Sequence, residues 1–225
     1  QTGDLWVVTG RSGAGKSALA LGFARSAAVH QMVPTALVQV RDEPTDVLLR
    51  ILGAEAQVRL VHLRHGVLGD DEWARLARRM GEISEAPMTI TATSGGSLVS
   101  TARAVLAGPP VQVLVLDDVP GMTAAAFSQL KQLAHMERVC VIAALAHIPE
   151  RALDAVESEA ATSADVVIRV GRERDLSPVS RRAGEADLVV VHHRRGPSTT
   201  ITVVFEGQYG RFSNLDEDTG TPRDE

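Results

Sequence analysis

The chain has 225 residues, of which 44% are hydrophobic, and its formal net charge at pH 7 is −5. This length and apolar content predict one sizeable core, and the negative charge argues against a protein that its overall charge holds on nucleic acid. The single cysteine, Cys140, excludes an internal disulfide and favours a reducing, cytoplasmic location. No apolar run approaches the roughly 18 residues of a membrane helix, and no signal-peptide pattern opens the chain, so we expect no membrane partner.

Short apolar runs alternate with helical patterns over the first three quarters of the chain. They predict strands over residues 5–9, 36–40, 88–91, 111–116, 139–145 and 166–170. The helical patterns between them cover residues 17–30, 45–54, 57–63, 71–84, 97–107 and 123–135. The strands are continuously apolar, as expected when helices cover both faces of a sheet. The order therefore predicts an α/β fold with a mostly parallel, doubly wound sheet.

The pattern changes after this region. Residues 188–193 and 199–205 are strand-like and are joined by the sequence RRGP, which predicts a C-terminal antiparallel hairpin. A short strand over residues 208–212 is expected to follow it. Residues 171–187 mix arginine and acidic residues with Gly and Pro, and they predict an exposed loop.

The domain boundary is predicted from the end of the chain. Residues 214–225 are acidic with Gly and Pro, which is typical of a disordered tail. We therefore expect a single domain over residues 1–213.

The first chemical motif is GRSGAGKS, which follows the first predicted strand and opens the first predicted helix. It matches G-x-x-x-x-G-K-[ST], a loop whose backbone N–H groups and following helix N-terminus cradle phosphates. Lys16 is expected to reach the β- and γ-phosphates, and the Ser17 hydroxyl to bind Mg²⁺. The predicted nucleotide-binding residues are Gly10, Arg11, Ser12, Gly13, Ala14, Gly15, Lys16 and Ser17.

A pair of carboxylates ends the fourth predicted strand, in VQVLVLDDVPG. Ligands of open parallel sheets bind at the carboxyl ends of the strands, so Asp117 is the candidate that orients Mg²⁺ and its waters. A helix N-cap is the alternative for Asp117. For Asp118 we favour the cap.

These motifs and the rest of the chain resemble the C-terminal, RecA-type ATPase domain of the DnaB family of replicative DNA helicases. The resemblance rests on QTGDLWVVTGRSGAGKS at 1–17, DDEWARL at 70–76, VLVLDDVPGM at 113–122, ADVVIRVGRE at 164–173 and VVVHHRRGPSTTITVVFEGQYGRFSN at 189–214. It implies a RecA-like P-loop NTPase that uses ATP and Mg²⁺. It also implies a homo-oligomer, usually a hexameric ring, that moves on single-stranded DNA.

The resemblance also implies roles for residues outside the phosphate loop. Arg194 matches the arginine finger, which reaches a neighbouring subunit's γ-phosphate. His192 stands where the family has a lysine that assists the finger, and His147 where a glutamine senses the γ-phosphate. The family's catalytic glutamate closes the second strand. An alignment without a gap puts Arg41 there.

The catalytic position therefore stays open between three residues. A shift of one residue brings Asp42 into place, and a shift of two brings Glu43. Glu43 has an alternative reading as the cap of the next helix, with Pro44 at the first helical position.

A second departure concerns DNA. The segment that matches the family's DNA-binding loop, RALDAVESEAATSAD at 151–165, is acidic where an arginine is expected. Acidic side chains repel the phosphate backbone. A nucleotide-binding scaffold or regulatory paralogue with little hydrolysis and little DNA affinity is therefore the alternative function. A RecA-type ATPase of another branch, such as a KaiC-like protein or a recombination mediator, is a third, and the C-terminal hairpin argues against it.

Overall fold

The structure, a computed structural model, describes residues 2–40, 43–93, 97–172, 182 and 184–215. Within these ranges the strands are β1 (Leu5–Gly10), β2 (Thr35–Gln39), β3 (Met88–Ala92), β4 (Val113–Val119), β5 (Cys140–Leu145), β6 (Val166–Gly171), β7 (Glu185–His193), β8 (Thr199–Glu206) and β9 (Arg211–Asn214). The α-helices are α1 (Lys16–Arg25), α2 (Pro44–Ala56), α3 (Leu60–His65), α4 (Asp70–Glu85), α5 (Leu98–Leu106), α6 (Ala124–Glu137) and α7 (Leu153–Ala161). None of the described helices is both long and apolar enough to cross a membrane.

All the strands form one sheet in the order β3-β2-β4-β5-β1-β6-β7-β8-β9. The strands from β3 to β6 are parallel, and β7, β8 and β9 extend the sheet as an antiparallel meander. This arrangement confirms the predicted α/β fold with a mostly parallel sheet and a C-terminal hairpin. The parallel strands bring their carboxyl ends, including the ends of β1 and β4, to one edge of the sheet.

Helices cover both faces of the parallel part, as the continuously apolar strands predict. Side chains of one strand alternate between the faces, so Val7 packs with Phe127 of α6 on one face and Val8 packs with Leu21 of α1 on the other. All four side chains are almost fully buried. The two apolar layers fix β1, and therefore the loop that follows it, between helices.

The structure corrects several predicted elements. The first helix changes at Ser26–His30 into a π-helical turn. The predicted helix 57–63 begins only at Leu60, because Gln57 has a left-handed backbone, with φ 52°, that ends α2. In the predicted strand 208–212, only Arg211 and Phe212 lie in β9, after a turn in which Gly210 has φ 67°.

The last part of the chain needs further corrections. Helix α7 was not predicted, and it occupies most of the segment expected to be a DNA-binding loop. Glu185 to Asp187 of the predicted loop 171–187 belong to β7, while residues 173–181 and 183 lie outside the described residues. Asn214 is the last residue of β9, and residues 216–225 of the predicted tail lie outside the described residues.

Candidate functional site

A cavity of about 320 Å³ opens at the carboxyl edge of the sheet. The phosphate loop, the end of β4 and the segment after β5 meet there because β1, β4 and β5 are parallel neighbours. Its lining residues are Ser12, Gly13, Gly15, Lys16, Ser17, Arg50, Asp118, Leu145, Ala146 and His147. The cavity therefore brings the predicted loop residues together with His147, which sequence reasoning placed near the γ-phosphate.

Two glycines of the loop are required by close packing. A Cβ at Gly10, where φ is 138°, would lie 2.5 Å from the carbonyl oxygen of Val170 in β6. A Cβ at Gly15, where φ is 110°, would lie 2.8 Å from Cζ of Phe212 in β9. Phe212 packs on Phe205 of β8, with ring centroids 4.9 Å apart. The C-terminal meander therefore packs against the loop, and at position 15 it leaves room only for glycine.

The other loop residues differ in what their side chains can do. Ala14, within the loop, is buried. The guanidinium of Arg11 lies 3.3 Å from the carboxylate of Glu150, and both side chains are largely exposed. The Arg11 side chain therefore forms an ion pair outside the cavity, and its backbone carbonyl accepts a hydrogen bond from Lys16 within the loop.

Lys16 begins α1, so its ammonium lies beside the helix N-terminus and the loop backbone. Its Nζ donates hydrogen bonds to the carbonyl oxygens of Gly10, at 2.9 Å, and Arg11, at 3.0 Å. Burial lowers the pKa of Lys16, and the nearby carboxylates of Asp118 and Asp117 partly offset this effect. A buried ammonium at a helix N-terminus makes this corner of the cavity a strong anion site.

Asp117 lies deeper, at the end of β4, and its side chain is almost fully buried. Gln39, its register partner in β2, donates from Nε2 to Oδ2 at 3.0 Å, and the carboxylate is also hydrogen-bonded by Ser17. Oδ1 has no hydrogen-bond partner among the described residues. Burial raises the pKa of Asp117, and the hydrogen bonds from Gln39 and Ser17 only partly offset it. A buried carboxylate oxygen that lacks a donor, beside a serine hydroxyl, fits a hard cation and its waters.

Asp118 has a different position from the one we predicted. Its backbone is left-handed, with φ 56°, at a register shift between Leu116 and Val119. The helix that follows is capped by Thr123, whose side chain accepts from the N–H of Ala126. The prediction that Asp118 caps this helix is therefore wrong, and the irregular backbone turns Asp118 into the lining of the cavity.

Sequence reasoning missed two further residues of the site. Gln39 is fully buried at the end of β2 and orients Asp117. In the sequence, Gln39 is marked only by being a single glutamine at the end of an apolar run. Arg50 of α2 lines the cavity, and its charge lowers the pKa of Asp117. No motif marks Arg50, because α2 reaches the cavity only through the fold.

The position of the catalytic carboxylate is described only in part. Arg41 and Asp42 lie outside the described residues. Glu43 is exposed at the N-cap of α2, with Pro44 as the first helical residue. Glu43 thus occupies the predicted N-cap position, but its side chain makes no capping hydrogen bond, and Glu43 does not line the cavity.

Arg194 and His192 lie at the other end of the sheet. Strand β7 is antiparallel to β6, so His193 pairs with Val166, whereas Gly10 pairs with Val170. The separation along β6 is four residues, or roughly 13 Å. The structure therefore does not bring Arg194 to its own phosphate loop. Nε2 of His192 is buried without a hydrogen-bond partner among the described residues.

The acidic helix α7 is partly neutralised within the fold. Arg169 of β6 donates from Nε to Glu157 at 2.9 Å and from Nη2 to Asp154 at 2.5 Å. Glu157 is buried and accepts a hydrogen bond of 2.5 Å from the hydroxyl of Thr9, the residue before the phosphate loop. Glu157 is therefore an internal partner of Arg169 and offers less repulsion to DNA than the sequence suggests, whereas Asp154 remains exposed.

Comparisons with known proteins agree with this geometry. A family model described as the DnaB-like helicase C terminal domain matches residues 1–214. Replicative DNA helicase DnaB of Leifsonia xyli is 31% identical over 238 residues, which cover 95% of this chain and 52% of that protein. Replicative DNA helicase DnaB of Mycobacterium leprae is 30% identical over 224 residues, which cover 88% of this chain and 37% of that protein. The chain thus spans about half of the first relative and less of the second.

A solved structure shows the same fold. A DnaB-like replicative helicase, described with its interactions with primase, superposes with a TM-score of 0.80 at 18% identity, over 96% of this chain and 58% of that chain. The shared fold is the RecA-like ATPase architecture that the resemblance implies.

Proposed function

Since this chain belongs to the DnaB-like helicase C-terminal domain family, we propose that it is the ATP-hydrolysing motor domain of a DNA helicase. It acts in the cytoplasm on single-stranded DNA, within a ring of identical subunits. The observation that carries the proposal is the convergence of Lys16, Ser17 and His147 on one cavity, with Ser17 hydrogen-bonded to the buried Asp117. The same sheet presents Arg194 at its opposite end, away from its own nucleotide, and its proposed target is the nucleotide of a neighbouring subunit.

The binding step follows from the loop and α1. Backbone N–H groups between Gly10 and Ser17 and the N-terminus of α1 hold the phosphates of ATP. Lys16 exchanges its two carbonyl acceptors, at 2.9 and 3.0 Å, for phosphate oxygens, which are stronger acceptors because they carry charge. Its flexible stem allows this movement within the buried corner.

Ser17 and Asp117 would hold Mg²⁺, which would supply positive charge beside the β- and γ-phosphates. Gln39 holds Oδ2 of Asp117, and Oδ1, which has no hydrogen-bond partner among the described residues, would be available to the cation or its waters.

Three residues act on the γ-phosphate and the attacking water. The base that accepts the proton of the water is Asp42 or, if Glu43 turns into the cavity when ATP binds, Glu43, and His147 contacts the γ-phosphate from the cavity wall. Arg194, assisted by His192, stabilises the negative charge of the transition state in the neighbouring subunit's site. The finger role of Arg194 requires an oligomer, because Arg194 lies at the end of the sheet opposite its own phosphate loop.

A nucleotide-binding scaffold remains the alternative that the test must separate, and the comparisons do not favour it. It predicts tight ATP binding without turnover and little affinity for single-stranded DNA. The burial of Glu157 against Arg169 removes part of its motivation.

ATP turnover by the purified chain, with and without single-stranded DNA, tests the proposal. Lys16→Ala removes the charge that contacts the phosphates, so we expect kcat to fall by about 100-fold or more. The matched control is Arg103→Ala, which removes a cation from the exposed face of α5 and leaves the cavity intact. Equal turnover by wild type and Lys16→Ala would refute the motor function. Binding of ATP without any turnover would support the scaffold.

A further inference from the structure

A second charged cluster lies at the amino end of the sheet, where Arg194 projects from the turn between β7 and β8. It contains two buried carboxylates, Asp4 before β1 and Asp165 before β6, which are 5% and 2% exposed. Among the described residues, Lys131 of α6 and the adjacent Arg194 and Arg195 form ion pairs with them. The cluster lies far from the phosphate loop, and the nucleotide-binding residues take no part in it.

The two oxygens of Asp165 have different partners. Oδ2 accepts the backbone N–H of Leu5 at 2.8 Å and the ammonium of Lys131 at 2.6 Å. Oδ1 lies 3.3 Å from Nε of Arg194. One oxygen is therefore committed to the core of the fold, and the other faces the finger.

The backbone around Asp165 also fixes the root of the finger. The N–H of Arg194 donates to the carbonyl of Asp165 at 2.8 Å, and the N–H of Asp165 donates to the carbonyl of Leu5 at the same distance. A weaker bond of 3.3 Å joins Nη2 of Arg194 to the carbonyl of Ser163. The finger thus starts from a rigid point, since its main chain is hydrogen-bonded to the strands of the core.

We propose that Asp165 is a positioning residue for Arg194, which orients the guanidinium towards the neighbouring subunit and releases it to that subunit's γ-phosphate. The inference rests on the proposed function, because it presupposes that Arg194 acts on a nucleotide. It adds a residue to the catalytic machinery that touches neither ATP nor the reacting atoms.

The contact is suited to release. The side chain of Arg194 is 47% exposed, and an ion pair with such exposure is weak. Asp165 keeps Lys131 and the N–H of Leu5 when the guanidinium leaves, so release does not create an unpaired buried charge. The γ-phosphate carries more charge than one carboxylate, and it therefore competes well for Arg194.

The neighbouring Arg195 is held differently, and this identifies which arginine can leave. Its guanidinium bonds the buried carboxylate of Asp4, and this pairing raises the pKa of Arg195. Lys131 donates to the carbonyl of Gly3 at 2.7 Å and to Asp165 at 2.6 Å. The carboxylate that binds Arg195 is thus a different one from the carboxylate that faces Arg194. Arg195 therefore anchors the turn while Arg194 moves.

The test compares Asp165→Asn in two backgrounds, wild type and Arg194→Ala, by DNA-stimulated ATP turnover of the full chain. In the wild-type background we expect kcat to fall roughly 10- to 100-fold, because the finger is misplaced, with KM for ATP changed by less than about twofold. In the Arg194→Ala background we expect no further loss beyond about twofold. A merely structural role would lower kcat equally in both backgrounds.

Glu55→Gln is the matched control, since it also removes a buried carboxylate that is paired with an arginine, here Arg25 at 2.6 Å, but lies outside this cluster. Its effect on kcat is expected to be the same in both backgrounds. Asp165→Glu is the second variant. It retains the charge that Lys131 needs, so it should keep the fold while displacing Oδ1, and it should show the same dependence on Arg194.

The outcomes separate the inference from the proposed function. Turnover that Lys16→Ala does not reduce refutes the proposed function itself. Turnover that depends on Lys16, with equal losses for Asp165→Asn in both backgrounds, overturns only the positioning role. Loss of the fold in both Asp165 variants, measured by circular dichroism, would make Asp165 a structural anchor and would also overturn it.

Discussion

The two ends of the sheet bury carboxylates in opposite ways. At the amino end, Asp165 has Lys131 on one oxygen and Arg194 on the other. At the carboxyl end, Asp117 is equally buried, but its Oδ1 has no hydrogen-bond partner among the described residues, and burial raises its pKa. Burial of an acid therefore does not by itself show what the acid does. A buried carboxylate oxygen that no donor contacts marks a place where a ligand can bind, whereas a paired one can hold a side chain in position.

The backbone is also packed differently at the two ends of the sheet. Gly3 and Gly10 flank β1, and both have positive φ, of 85° and 138°. Around Gly3 there is room for a side chain, since the nearest atom to a Cβ there would be 3.7 Å away, whereas at Gly10 it would be a carbonyl oxygen at 2.5 Å. The end of the sheet with the phosphate loop thus combines a buried carboxylate oxygen that has no hydrogen-bond partner among the described residues with a tightly packed backbone.

The largest effect on stability is expected from removing a charged partner of Asp165 at the amino end of the sheet. Lys131→Met removes the closest cation of Asp165, whose side chain is 3% exposed, and leaves it the half-exposed Arg194 at 3.3 Å and the N–H of Leu5. We expect the free energy of unfolding to fall by about 3 kcal/mol, because a buried charge loses its partner. Urea denaturation at pH 7 measures it.

The control for this prediction is Gln132→Met, at the exposed neighbouring position of α6, which should change stability by less than about 0.5 kcal/mol. If Lys131→Met also costs less than this, Arg194 alone compensates Asp165, and the contrast between the two ends is lost.

A smaller loss is expected from Gly10→Ala. The new Cβ meets the carbonyl oxygen of Val170, which belongs to the backbone of β6 and cannot turn aside. We expect a loss of about 2–3 kcal/mol, against about 1 kcal/mol for Gly3→Ala, which has the positive φ without the collision. Thermal unfolding of the two variants side by side isolates the collision. Equal losses would show that backbone conformation alone accounts for both glycines.

The sequence predicted those parts of the molecule that short segments determine. The six parallel strands follow from continuous apolar runs, and the phosphate loop follows from eight adjacent residues, GRSGAGKS. Asp117 was identified because it directly ends such a run. In each instance, the physical requirement and the residues that meet it lie next to one another in the chain.

The remaining parts depend on contacts between distant segments. Gln39 bonds Asp117 across 78 residues, and Leu5 bonds Asp165 across 160. Only the sheet order brings them together. Helix α7 escaped prediction for a related reason: its buried face consists of Leu153, Glu157 and Ala160, and the glutamate interrupts the apolar period. Its charge is explained only by Arg169, which the fold supplies from β6.

The smallest effect on stability is expected from removing the buried charge of Asp117, and this substitution should stabilise the fold. Burial raises the pKa of Asp117 above its unfolded value, so the folded state binds this proton more tightly. The resulting stability is fully present below the unfolded pKa and is lost as pH rises through the folded one. Asp117→Asn should therefore raise the free energy of unfolding at pH 7, without Mg²⁺, by about 1 kcal/mol. The gain should disappear towards pH 3. Asp187→Asn is the opposite control, because the Arg182 guanidinium lowers the pKa of Asp187, and this substitution should destabilise at pH 7 and have less effect in acid. A loss of stability for Asp117→Asn at pH 7 would mean that the fold, and not a bound cation, requires this carboxylate.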